Sequence, residues 1–113
     1  MAQNSKYEGP GNQILGNIVI PTDTGSHTLI AAVSGMYTDI VYMDITNGSN
    51  TNTELAISNG TDVYTYELAP LGGIIVPLGE YPHLSATSGT AWTAQLTVAA
   101  KVAINSKALK VQR

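Results

Sequence analysis

The sequence predicts an all-β protein, a single antiparallel β-sandwich of jelly-roll type with about eight strands. Three observations predict it. Short runs rich in β-branched and aromatic residues recur along the chain, and Gly, Pro, Asn, Asp or Ser fills every gap between them. Near the C-terminus Trp92, Ala94, Leu96, Val98, Ala100, Val102 and Ile104 alternate with Thr93, Gln95, Thr97, Ala99, Lys101, Ala103 and Asn105. A strand gathers such a set on one face, whereas a helix would scatter it around the whole circumference. Thr, Ser, Asn and Gly supply 40 of the 113 residues (13, 8, 8 and 11) and charged residues only 12%, against roughly 25% in ordinary soluble domains.

In chain order, residues 1–13 hold two glycines, a proline and almost no large apolar side chains, so they read as a flexible N-terminal arm. Strand patterns then follow at Ile14 to Ile20, Thr28 to Val33, Tyr37 to Thr46, Thr53 to Ile57, Asp62 to Leu68, Gly73 to Val76 and His83 to Ala86. The alternating run from Trp92 closes the body as one long strand, with Ala99 to Gln112 open to a helical alternative. The Asn47-Gly48-Ser49 and Asn59-Gly60-Thr61 triplets fit the glycosylation sequon, but they read as Asn-Gly turns between strands. The domain reading is therefore an arm at 1–13, a β-sandwich at 14–105 and a basic tail at 106–113.

Composition narrows the function. Without cysteine the chain has no disulfide, thiolate nucleophile or cysteine metal site. The polar N-terminus does not read as a signal peptide, and no run approaches the roughly 18–20 apolar residues of a membrane helix, so the expected protein makes no membrane contact. All eight acidic residues lie between Glu8 and Glu80, while Lys101, Lys107, Lys110 and Arg113 fall in the last thirteen positions. Residues 7–100 carry no Lys or Arg, which removes the electrostatic footprint of direct nucleic-acid binding from the body. A low-charge surface of hydroxyls and amides can lie against another protein with little ionic desolvation.

One catalytic motif is present, Asp23-Thr24-Gly25-Ser26, which resembles the active-site loop of retroviral-type aspartic proteases. Pro21-Thr22 stands where those enzymes have an apolar strand, and the three residues also form a natural turn in which Asp accepts backbone bonds and Gly takes positive φ. His27 and His83 fall in separate strands with no glutamate at metal-binding spacing. Asp44, Asn47, Asn50, Asn52 and Glu54 cluster oxygen ligands in one loop, but out of register for a calcium loop. Tyr64 and Tyr66 share a strand face that would suit sugar stacking. The expectation is no catalytic residue, no metal and no cofactor. The candidate partner-binding residues are Lys6 and Tyr7 in the arm and Lys107, Lys110 and Arg113 in the tail, since cationic ends reach acidic neighbours easily.

Asp44-Ile45-Thr46-Asn47-Gly48-Ser49-Asn50-Thr51-Asn52-Thr53-Glu54-Leu55-Ala56-Ile57-Ser58-Asn59-Gly60, then Leu68-Ala69-Pro70-Leu71-Gly72-Gly73 and Ser85-Ala86-Thr87-Ser88-Gly89-Thr90-Ala91-Trp92, resembles the small β-sandwich virion proteins of tailed bacteriophages. The resemblance covers roughly residues 40–100 and is to the capsid decoration, or cement, type. It implies a non-enzymatic homotrimer made in the host cytoplasm, seated on the major capsid protein at the virion surface and stabilising the shell. A head-completion, tail or fibre-associated module shares the same texture. Outside that class stand a carbohydrate-binding sandwich and a dimeric protease acting through Asp23.

Overall fold

A computed structural model describes residues 13–78 and 81–112. It is all-β, with β1 (Gln13–Val19), β2 (His27–Ile30), β3 (Tyr37–Asn47), β4 (Thr53–Ser58), β5 (Val63–Leu68), β6 (Gly73–Pro77), β7 (Trp92–Leu96) and β8 (Val102–Val111). Two four-stranded sheets form, in the orders β1-β8-β3-β6 and β2-β7-β4-β5. The antiparallel partners are β1 with β8, β2 with β7, β3 with β6 and β4 with β5. Each pair sums to nine, as when one long hairpin with its tip at β4–β5 is wrapped around a core. The further pairings β3·β8 and β4·β7 close each sheet. That wrapping is the jelly roll the sequence predicts.

Alternation explains why the sheets face each other. β4 reads buried at Thr53, Leu55 and Ile57 and half-buried at Glu54, Ala56 and Ser58. β8 buries Val102, Ile104, Ser106 and Ala108. These meet Leu29, Ile40, Met43, Ile45, Trp92, Ala94 and Leu96 in one core, with Leu15, Val19, Tyr64, Tyr66, Ile74 and Val76 packed around it. Each large aliphatic or aromatic side chain so buried contributes roughly 1.5–3 kcal/mol. Extra residues bulge β3 between Ile40 and Tyr42 and β2 between Thr28 and Ile30, which bends both strands around the core.

Three sequence expectations are corrected. The run from Trp92 is not one strand: β7 lies in one sheet and β8 in the other, and the chain crosses between them at residues 97–101. Leu96 and Val102 are buried on either side of the crossing and Ala100 within it, while Val98 is exposed, so the even-numbered apolar residues read as continuous in the sequence although the strand is broken. The tail boundary at 106 also falls, because β8 runs unbroken to Val111 between β1 and β3. Its inward positions carry Ser106 and Ala108, small side chains that hide a strand from a hydrophobicity pattern. Finally, residues 83–86 form no strand. His83 makes a single bridge to Ile40, because β6 already occupies the rest of that edge of β3, from Tyr42 to Thr46. The arm expected at 1–13 lies outside the described residues except for Gln13, which begins β1.

Both Asn-Gly segments are turns, but their asparagines are buried pins. The Asn47 carboxamide donates to Thr51 O at 2.7 Å and Ala69 O at 3.1 Å and accepts from Ser49 N at 3.0 Å. Asn59 Oδ1 accepts from Thr61 N and Asp62 N at 2.9 and 2.7 Å, and its Nδ2 donates to Leu84 O at 2.9 Å. Gly60, at φ 94°, supplies the left-handed residue of that second turn.

Candidate interaction face

The outer face of the β1-β8-β3-β6 sheet carries the residues that point away from the core. Its register lines them up in rows. Ile18 lies opposite Asn105, Asn105 opposite Asp44, and Asp44 opposite Ile75. The next row runs Gly16, Lys107, Tyr42 and Pro77. Ile14 and Leu109 form a third, half-buried pair.

The centre of this face is polar but internally satisfied. Asp44 Oδ2 accepts from the Tyr42 hydroxyl at 3.1 Å and from Asn105 Nδ2 at 3.3 Å. The Lys107 ammonium stands over the Tyr42 ring, 5.9 Å from its centroid, within the range of cation–π attraction. Loss of water, and then the bond to Asp44, raise the Tyr42 hydroxyl above its ordinary pKa, so it stays protonated and keeps donating. The rims are apolar: Ile18 is 67% exposed and Ile75 68%. A face of this kind can lie against a protein surface with its central polar groups already paired and its rim isoleucines gaining burial.

The opposite face of the sandwich differs. There Thr28, Thr93, Ser58 and Val63 form one row, Gln95, Ala56 and Thr65 a second, and Glu54 faces Glu67 at one end. Glu54 N donates to Thr97 Oγ1 at 3.1 Å. The Glu54 carboxyl is raised above the usual carboxylate range, first by its hydrogen bond to Glu67, then by desolvation and by the neighbouring charge.

Of the sequence-predicted binding residues, Lys107 belongs to the first face. Lys110 is half-buried and, by alternation, on the inward side with Ser106 and Ala108; strand geometry thus sends the two lysines to opposite faces. Lys6, Tyr7 and Arg113 lie outside the described residues. Asp23 is an exposed turn residue whose Oδ1 accepts from Gly25 N at 2.9 Å and meets His27 Nε2 at 2.8 Å. Those two bonds lower its pKa, the His27 bond foremost. Gly25 is not among the positive-φ glycines, so the turn does not need the left-handed conformation expected of it. His83 is half-buried with Tyr64 and Tyr66, and those tyrosines point inward rather than offering a stacking platform. Asp44 leaves the Asn-rich loop altogether and sits mid-strand. Among the described residues no group of three or more His, Cys, Asp or Glu is placed to hold a metal ion.

Sequence reasoning missed Ile18, Tyr42, Asp44, Ile75 and Asn105 as one surface. Their only sequence signal is apolar residues at outward-facing strand positions, such as Ile18 and Ile75.

No protein-family model matches the chain, and no curated protein matches it. Among solved structures, the chain is similar to a subunit of Bacillus endospore appendages, described as disulfide-linked pili, at 12% identity over 98% of both chains with a TM-score of 0.49. It is also similar to a chain of the virus-like particle of the extra small virus of the giant freshwater prawn Macrobrachium rosenbergii, at 12% identity over 100% of this chain and 88% of that one, with a TM-score of 0.40.

Proposed function

We propose that this chain is a non-enzymatic structural subunit that works by lying against other protein chains, and specifically that it is a capsid decoration protein of a tailed bacteriophage. It would sit as a homotrimer on the major capsid protein at the virion surface. The observation that carries the reading is the outer face of the β1-β8-β3-β6 sheet, where Ile18 and Ile75 stand exposed at the two ends of a row whose centre, Asp44 with Tyr42 and Asn105, is already hydrogen-bonded. Burying such a face removes apolar surface from water at roughly 25 cal/mol per Å² and strands few polar groups. The low charge of the chain, 12%, acts in the same direction.

Sedimentation velocity at micromolar concentration, followed by co-sedimentation with empty expanded shells of tailed phages, tests the proposal. A trimer that saturates the shells at a fixed ratio to the major capsid protein is the expected result. A monomer that fails to load on any shell tested overturns it. Purified protein that cleaves peptides in a manner lost on Asp23→Asn would overturn the non-enzymatic part.

A further inference from the structure

The sequence holds two Asn-Gly dipeptides, Asn47-Gly48 and Asn59-Gly60. In such a pair the glycine amide nitrogen can attack Cγ of the asparagine, since glycine has no Cβ to crowd the approach. The new N–Cγ bond closes a succinimide ring. Nδ2 leaves as ammonia, carrying the proton that the glycine amide gives up through solvent. Water then opens one of the two ring carbonyls and leaves either aspartate or isoaspartate. Two conditions govern the rate: the glycine N–H must be free of its acceptor, and the carboxamide must be free to turn onto it.

At Asn47 distant segments withhold both. Gly48 N donates to Lys101 O at 2.8 Å, and Asn47 N donates to Gly72 O at 2.8 Å. The fully buried Asn47 carboxamide donates to Thr51 O and Ala69 O. Asn47 ends β3, which lies between β8 and β6. Freeing this dipeptide therefore requires residues 69–72 and 101 to part from an interior strand.

At Asn59 the partners are local. Gly60 N donates to the Ser58 hydroxyl at 3.0 Å, Asn59 N donates to Asp62 O at 3.2 Å, and Asn59 Oδ1 accepts from Thr61 N and Asp62 N. All of these lie within residues 58–62, and beyond them Nδ2 reaches Leu84 O at 2.9 Å. The turn leads into β5, the outermost strand of its sheet, and Gly60 is exposed. Burial does not separate the two asparagines, which are 0% and 1% exposed. The reach of their partners does. Fraying of one hairpin tip releases both reacting groups of Asn59-Gly60, and local openings of this kind cost far less than global unfolding.

We propose that Asn59 is a self-modifying site, converted to aspartate or isoaspartate within the folded protein through opening of the β4–β5 turn, whereas Asn47 is converted only in the unfolded chain. The product does not restore the starting turn. A carboxylate has no hydrogen to donate to Leu84 O, and it stands beside the Asp62 carboxylate, whose Oδ2 accepts from Nδ2 at 3.3 Å in the unmodified chain. Isoaspartate also adds a carbon to the backbone of the turn. Conversion thus unties the hairpin tip from the β6–β7 loop and marks aged copies of the protein.

The full chain incubated in mildly alkaline buffer, folded and in denaturing urea, tests this by peptide mapping with mass spectrometry, each site's folded rate being compared with its own rate in urea. In urea both dipeptides are expected to convert. In the folded chain Asn59 should convert more slowly than in urea by roughly ten- to a hundredfold, with Asn47 intact over the same period. Native-state hydrogen exchange should show the Gly60 amide exchanging at least about tenfold faster than that of Gly48. Asn59 as resistant as Asn47 in the folded chain, Asn59 converting as fast folded as in urea, or a Gly60 amide exchanging no faster than that of Gly48 would overturn the proposal.

Discussion

The indole Nε1 of Trp92 donates to the carbonyl of Thr38 at 2.6 Å, a buried bond that runs from β7 of one sheet to β3 of the other. It supplies a directional tie between the sheets, as does the bond from Asn17 Nδ2 of β1 to Leu29 O of β2 at 2.7 Å, and it helps to fix how the two sheets sit across each other. Trp92→Phe keeps an aromatic ring but strands the Thr38 carbonyl and opens a void where the larger ring lay. The variant is expected to lose about 2–4 kcal/mol, measured as a lower urea midpoint. Because Trp92 is the single tryptophan and is fully buried, the fluorescence of the wild type should shift to longer wavelength on unfolding and report this core directly.

Asn59 closes the β4–β5 turn and at the same time ties it to the β6–β7 loop through Leu84 O. Asn59→Asp retains the oxygen that accepts from Thr61 and Asp62, replaces the nitrogen that donates to Leu84, and sets a carboxylate against the Asp62 carboxylate. A loss of about 2–3 kcal/mol at neutral pH is expected, with part of it recovered in acid as the new carboxyl takes a proton. Denaturation at two pH values checks both statements.

Leu71 occupies the left-handed region at φ 56° in the turn closed by Gly72 N and Ala69 O at 3.1 Å, and its side chain is 70% exposed. A branched residue there bears the strain that glycine avoids, and little packing offsets it. Leu71→Gly is expected to gain about 0.5–1 kcal/mol after allowing for the greater freedom of glycine in the unfolded chain, read as a higher Tm. A loss of stability would show that the leucine side chain has a partner within the fold.

Ile18→Lys and Ile75→Lys separate stability from assembly. Both side chains face solvent at opposite ends of one row, so each replacement should change folding stability by no more than about 0.5 kcal/mol. Each should nevertheless weaken self-association or shell loading by tenfold or more, since a lysine would have to be desolvated at the rim of the contact. Analytical ultracentrifugation and shell co-sedimentation, run beside thermal melts, check the two halves together.

Much of the fold is legible in the sequence. The period-two patterns at Ile14 to Ile20, Tyr37 to Thr46 and Thr53 to Ile57 depend only on local alternation, and each became a strand within a residue or so of its expected bounds. Asp23 likewise behaves as the turn residue its Asp-Thr-Gly-Ser context suggests, because an Asx turn is made within a few residues of chain. The second half of β8 was not legible. Ser106 and Ala108 carry no hydrophobic signal, and Lys107 and Lys110 imitate a solvated tail until β1 and β3 pair on either side of them.

The sequence by itself determined the class of the protein: strands rather than helices, turns at Asn47-Gly48 and Asn59-Gly60, one core, and a surface poor in charge. These follow from alternation and composition, which act over a few residues. Only the tertiary structure decided that the alternating run from Trp92 divides between two sheets, that His83 is held by Tyr64 and Tyr66, and that Ile18, Asn105, Asp44 and Ile75 form one row. Those are matters of which strand lies beside which and in what register. Register is set by the summed burial of both sheets and by turns far apart in the chain, so no single segment encodes it.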